Sequence, residues 1–195
     1  MLTSSCAAIF SDAVECVNTP HGRLTEDIWN TTSSEMHQPY SYSKTLAEQA
    51  AWKMAEEQDK WSLVVINPAG VIGPTVSGRL ISAIHDIFSP LGDRNMKAVA
   101  PPLEVGLVDV ADGNIRVAYI EKSKGRHIVF NAVQSPLRLA NYLTEKYGVD
   151  YPLPRKELPK WLLWLIGPIV DRMFTRKMIS LNMGHKWIAD NTKSI

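Results

Sequence analysis

Residues 40–67 constrain the fold of this chain more than any other stretch. From Tyr40 to Asp59 there is no Gly or Pro, and Ala, Glu, Lys, Gln and Met dominate; these side chains lose little freedom in a helix. Ala47, Ala50, Ala51 and Met54 recur at three- and four-residue spacings, which predicts a small-residue face packed closely on a sheet. Trp61 to Asn67 follows, with the unbroken apolar run Leu63-Val64-Val65-Ile66 that marks a strand covered on both faces. A helix running directly into such a strand predicts an α/β fold.

The rest of the chain is read around that pair. Its 195 residues suffice for one sizeable core. Leu2 to Phe10 reads as the end of a buried strand opening into a loop, and Ser11 to Pro39 as a long surface loop with one helical turn around Ile28-Trp29. Loops of that length are usually functional. Farther on, helices are predicted over Arg79–Ser89, Asp109–Glu121 and Pro136–Tyr147, and strands over Val105–Val108 and Arg126–Phe130. Pro90–Pro102 reads as irregular, and Leu158 onward as helical with a late strand-like His185–Ala189. Gly113 weakens the middle helix.

Composition removes several classes of function. Net charge is +1 with Lys and Arg scattered singly, so no basic stripe neutralises a phosphate backbone and nucleic acid is not an expected partner. Cys6 and Cys16 are too few for a disulfide framework and have no metal-type spacing with any histidine; a reducing, cytoplasmic setting is expected and no metal is. The N-terminus has no export-signal pattern, so the Asn30-Thr31-Thr32 sequon is expected to be idle. Leu158–Val170 is about half the roughly 20 residues of a membrane span, and Gly167-Pro168 interrupts it. It is read as a lid or core helix.

Chemistry concentrates at Tyr40 and Lys44. Four residues apart on the secure helix, both side chains leave one face. An ammonium about 4 to 6 Å from a phenol favours the phenolate and draws its pKa down from about 10, giving a proton donor usable near neutrality. Tyr42, two residues from Lys44, faces the other way. A Tyr and a Lys at this spacing are common by chance, the plain alternative being a surface Lys covering a ring. Thr3-Ser4-Ser5 at a strand end and Asn67-Pro68-Ala69-Gly70-Val71-Ile72-Gly73-Pro74 after the next strand make the combination specific.

In this combination the sequence resembles the extended short-chain dehydrogenases of the NAD-dependent epimerase/dehydratase type, in the branch of dihydroflavonol-reductase-like and aldehyde-reductase-like enzymes. Leu2–Ser5, Tyr40–Trp52 and Val64–Pro68 carry the resemblance, with Val108-Asp109-Val110, Gly125-Arg126, Thr175-Arg176-Lys177 and Asp190-Asn191 extending it across the chain. It implies the C-terminal part of a doubly wound Rossmann-type fold plus a small, mainly helical substrate-binding lobe. Residues 1–72 would carry the catalytic Ser, Tyr and Lys, and 73–195 would be mainly the lobe with returning core elements. It further implies Tyr40 as general acid and Lys44 also as a holder of the nicotinamide ribose. Ser5, the last residue before the small Cys6, would orient the carbonyl. Pro68, Ala69, Gly70 and Val71 would border the nicotinamide of NADP or NAD, although a rigid strand-exit turn would explain Pro68 and Gly70 equally well. The stretch Ala111-Asp112-Gly113-Asn114-Ile115-Arg116 departs from the branch's usual pattern.

The Gly-rich turn that meets a pyrophosphate in such folds is not in this sequence. The expectation is therefore a chain without the dinucleotide-binding half, binding NADPH weakly or not at all and leaving Leu2–Ser5 as a sheet edge. Reduction of a hydrophobic carbonyl compound is the leading expectation. A steroid dehydrogenase or sugar-nucleotide epimerase would use the same three side chains, and a catalytically inactive remnant is the reading from another class. Oligomeric state is not readable.

Overall fold

The computed structural model describes residues 1–71, 99–100, 105–108, 110–148, 153–172 and 174–194. The helix predicted over Arg79–Ser89 lies outside them. The chain divides into two compact units: Met1–Val71 with Gly106–Ala132 and Trp187–Ile195, and Ile72–Val105 with Val133–Lys186.

The first unit is built on strands β1 (Leu2–Thr3) and β2 (Val64–Pro68), with helix α1 (Pro39–Glu56) between them in sequence. Short strands β3 (Gly70–Val71), β4 (Val99–Ala100) and β5 (Val105–Val108) come next, then helix α2 (Val110–Tyr119) and strand β6 (Gly125–Val129). β1, β2 and β6 form one parallel sheet in that order, with Leu2 opposite Val65 and Val64 through Pro68 opposite Gly125 through Val129. β3 pairs in parallel with β5. Val65, Ile66 and Ile128 are fully buried, as a strand covered on both faces requires. Alternation along β6 separates the two covers. Arg126 reaches α1 through Glu48, whereas Val129 lies against Gly113 of α2. A Cβ on Gly113 would come within 2.9 Å of a Val129 methyl, so the glycine that weakens the helix on propensity is what lets it approach the sheet.

Two expectations are corrected here. On α1 the buried residues are Ser41, Thr45 and Glu48, while Ala47 and Ala50 are exposed and Met54 is 62% exposed. The sheet-facing stripe is polar because a buried guanidinium on β6 requires a carboxylate opposite it. The Ser11–Pro39 segment is not a loose surface loop: Ser11, Asp12, Ala13, Cys16, Leu24 and Asn30 are buried. Its turns are 3-10 segments at Ala13–Asn18 and Pro20–Gly22 rather than at Ile28-Trp29. The segment's polar groups serve each other, as where Glu15 Oε1 accepts from Ser11 and Asp12 N–H groups and from the Thr32 hydroxyl.

In the second unit, β4 pairs with β8 (Lys156–Glu157). Strand β7 (Ala132–Gln134) ends at the Ser135 cap of helix α3 (Pro136–Tyr147), where Ser135 Oγ accepts from Arg138 N–H. Helix α4 (Lys160–Val170) packs on α5 (Arg176–Asn182) around Leu163, Ile179 and Met183. Gly167 makes the approach possible, since a Cβ there would lie 3.0 Å from Ile179 Cδ1. The strand expected over His185–Ala189 reduces to a single bridge between Ala189 and Leu24 in the first unit. Among the described residues no helix is long and apolar enough to cross a membrane.

Candidate active site

Tyr40 is the second residue of α1 and is 58% exposed. Lys44, one turn later, holds its Nζ 5.7 Å from the centre of the Tyr40 ring. The two side chains share one face of α1, with the ammonium over the ring as a surface Lys covering an aromatic would also have it. Ser4 and Ser5 follow β1 and have different duties. Ser4 Oγ donates to Glu48 Oε2 at 2.5 Å, whereas Ser5 Oγ accepts from Ala7 N–H at 3.1 Å, which leaves the Ser5 hydroxyl hydrogen for another acceptor. Ser5 caps the Cys6–Ala8 turn, and that turn packs against α1. At the end of β2, Pro68 is buried and Ala69 N–H donates to Val129 O at 3.0 Å. Gly70 and Val71 continue as β3, with Val71 41% exposed. Ser5 and Pro68 thus stand at the C-terminal ends of neighbouring parallel strands, where ligands of open α/β sheets bind.

Glu48 holds these pieces in register. It is fully buried, and its Oε1 accepts from Arg126 Nε at 2.6 Å. Its Oε2 accepts from Ser4 and, at 2.7 Å, from Asn67 Nδ2. Asn67 Nδ2 also donates to Ser5 O, and the Cys6 thiol donates to Asn67 O. One carboxylate therefore ties α1 to the ends of β1 and β2 and to β6. Arg126 completes the network through the carbonyls of Glu26, Ile28 and Ala8, with its guanidinium carbon 3.9 Å from the centre of the Trp29 ring.

A second anchor fixes the start of α1. His37 Nε2 lies 2.7 Å from Asp12 Oδ2, both largely buried. Between His37 and the first helical residue, Gln38 adopts φ 54°, a left-handed conformation uncommon for a residue with a side chain. The Asp12 pair holds that turn from one side and Pro39 from the other.

Sequence reasoning assigned no role to Glu48, Arg126, Asp12 or His37. The available signal was the polar stripe Ser41, Thr45, Glu48 at helical spacing inside an otherwise alanine-rich helix. Burial pushes the Cys6 thiol up to about 12, with Arg126 opposing and Glu26 and Glu48 adding to the shift, so Cys6 is a packing residue and no nucleophile. Asn30 of the sequon is 4% exposed and donates to Ala7 O and Ser33 Oγ, an arrangement with no room for a glycan. Among the described residues no group of His, Cys, Asp and Glu is placed to hold a metal.

Curated relatives bear on this geometry. The chain is 35% identical over 140 residues to tetraketide alpha-pyrone reductase 1 of Arabidopsis thaliana, covering 68% of this chain and 41% of the relative. It is 27% identical over 159 residues to cinnamoyl-CoA reductase 1 of the same plant, covering 80% and 45%. The chain belongs to the extended short-chain reductases of the NAD-dependent epimerase/dehydratase type. It spans less than half the length of these reductases. No family model matches the chain. Among solved structures, the yeast methylglyoxal/isovaleraldehyde reductase complexed with NADPH superposes with a TM-score of 0.68 at 24% identity, over 99% of this chain and 56% of that one. The fold of this reductase-family chain is accordingly a partial Rossmann-type α/β fold.

Proposed function

We propose that the chain provides the carbonyl-reducing side of an NAD(P)H-dependent reductase. The observation that carries the reading is the joint placement of an exposed Tyr40, the Lys44 ammonium over its ring, and a Ser5 hydroxyl free to donate, on a turn packed against the same helix. Tyr40 donates its proton to the carbonyl oxygen of an aldehyde or ketone, and Lys44 supports the phenolate that remains. The Ser5 hydroxyl donates to the same oxygen and orients it. When bound, a nicotinamide cofactor supplies the hydride. Lys44 would hold the ribose hydroxyls of its nicotinamide end, and Pro68, Ala69, Gly70 and Val71 would border the ring. The reductase names of the relatives support this class of reaction, and the setting we assign is cytoplasmic.

The second unit is read as the substrate-binding lobe. Its exposed Trp161, Trp164 and Leu165 on α4 favour a hydrophobic small-molecule carbonyl compound as substrate over a sugar nucleotide. The test is reduction of a panel of aldehydes and ketones with NADPH by the chain and by its Tyr40→Phe variant. Loss of a general acid lowers the rate by about 10²- to 10⁴-fold. Equal rates in both proteins would remove the enzymatic reading and leave a catalytically inactive remnant.

A further inference from the structure

From Trp161 to Val170 helix α4 has no charged, amide or hydroxyl side chain, and only one side of it is covered. Leu163 and Gly167 are buried against α5, and Leu162 and Ile166 are half-buried. On the other side Trp161, Trp164, Leu165, Pro168 and Ile169 recur at helical spacing. All are exposed, Trp161 at 68% and Ile169 at 87%, and Val170 extends the stripe at 71%. α4 is therefore not a core helix. Single exposed apolar residues are ordinary, whereas a contiguous stripe of them marks an interaction surface.

The charges around the stripe decide what it meets. Between Arg155 and Lys177 six cationic residues stand against two acids, Glu157 and Asp171, a net of +4 in a chain whose whole charge is +1. The cations border the stripe in space as well as in sequence. The Arg176 guanidinium lies over the Trp164 ring, 4.7 Å from its centre, and Arg172 and Arg176 share a shallow cleft with Pro168. Arg155, Lys156 and Lys177 are exposed. No acid lies between Leu158 and Val170, and Asp171 adjoins Arg172.

Tryptophan with arginine beside it suits the boundary between water and lipid. The indole's apolar body enters the acyl region there, while its N–H and the guanidinium stay among the headgroups. Anionic headgroups complete the match, because each Lys or Arg near them adds to the attraction. A second copy of the chain would instead bring the same six cations against these. The 11 residues of α4 measure about 16 Å, too short to cross a hydrocarbon core of roughly 30 Å, so the helix would lie in the plane of the surface.

We infer that the exposed face of α4 docks the second unit on an anionic lipid bilayer, with Trp161, Trp164, Leu165 and Ile169 entering the acyl boundary and Arg172 and Arg176 meeting the headgroups. The inference stands apart from the reductase reading, because a bilayer is bound without cofactor or carbonyl compound. A hydrophobic substrate dissolved in that bilayer would meet the same lobe.

The test is flotation of the full chain with vesicles of phosphatidylcholine and with vesicles of an equimolar mixture with phosphatidylglycerol. Binding to the mixed vesicles is expected to be about tenfold or more tighter, to shift tryptophan emission to the blue and to weaken with salt. The Trp161→Gln/Ile169→Gln variant should bind about tenfold or more weakly through lost apolar area. Arg172→Gln/Arg176→Gln should lose most of the preference for anionic lipid. All four positions are exposed, so both variants should keep the parent's far-ultraviolet circular dichroism. Tyr119→Gln, at a position 84% exposed on α2, should bind as the unaltered chain does. Three results would each overturn the inference: no flotation with the mixed vesicles, equal binding to both lipids, or undiminished binding by Trp161→Gln/Ile169→Gln. A dimer in sedimentation velocity that this variant dissociates would give the face to a second copy and overturn it as well.

Discussion

At the scale of single residues, the Glu48–Arg126 pair sets how firmly the Cys6–Ala8 turn and α1 are joined. Both side chains are within the core, at 0% and 7% exposure, so removing one charge leaves the other unscreened. Glu48→Gln keeps the shape but puts an NH₂ where one accepting oxygen faced donors, and it leaves the Arg126 guanidinium without its counter-charge, which costs about 3–5 kcal/mol in such settings. Urea unfolding is expected to show an unfolding free energy lowered by that amount; a loss under about 1 kcal/mol would mean that the three carbonyls on Arg126 suffice. His127 sets a pH dependence of opposite origin. Its folded pKa is lowered, first by burial and then by Lys193, so as pH falls the unfolded chain takes up the proton first. The contribution is present in full above the unfolded value of about 6.5 and is lost as pH falls below it toward the folded pKa. Unfolding followed between roughly pH 7.5 and pH 5.5 should show this loss, and a His127→Gln variant should lack it.

At the scale of elements, Gly113 sets how closely α2 lies on β6. Alanine there improves helix propensity by about 1 kcal/mol but drives a methyl into Val129, an overpacking penalty of about 1–3 kcal/mol. Gly113→Ala is therefore expected to destabilise on balance. Paired with Val129→Ala, it should cost less than the sum of the two single variants, the sign of a relieved contact. A sum that is strictly additive would place the strain elsewhere. The elements themselves were legible from periodicity: the spans expected for α1, α2, β2, β6 and α3 agree with those observed to within a few residues. What was not legible was partnership. Glu48 and Arg126 are 78 residues apart, and nothing local to Arg126 marks it as buried or names its partner. The polar Ser11–Pro39 segment misled for the same reason, because its serines, threonines and acids bond to one another and not to water. The small-residue stripe on α1 was a real pattern on the wrong face, since packing density counted for less than the demand of one buried charge.

At the scale of the whole chain, the decisive quantity is how much of a nicotinamide cofactor these residues can engage. In the proposed reading Tyr40, Lys44 and Pro68 to Val71 would engage only its nicotinamide ribose end, and the sequence has no Gly-rich turn whose backbone N–H groups would meet a pyrophosphate. Each further engaged segment of a dinucleotide ordinarily adds binding free energy, with every 1.4 kcal/mol worth about tenfold in affinity. If only the nicotinamide end is held, reduced nicotinamide mononucleotide and NADPH should bind this chain with dissociation constants within about tenfold of each other, both weaker than micromolar. Calorimetric titration of the two side by side measures this directly. NADPH binding at micromolar concentration or tighter, with the mononucleotide far weaker, would show that residues of this chain hold the adenosine end as well.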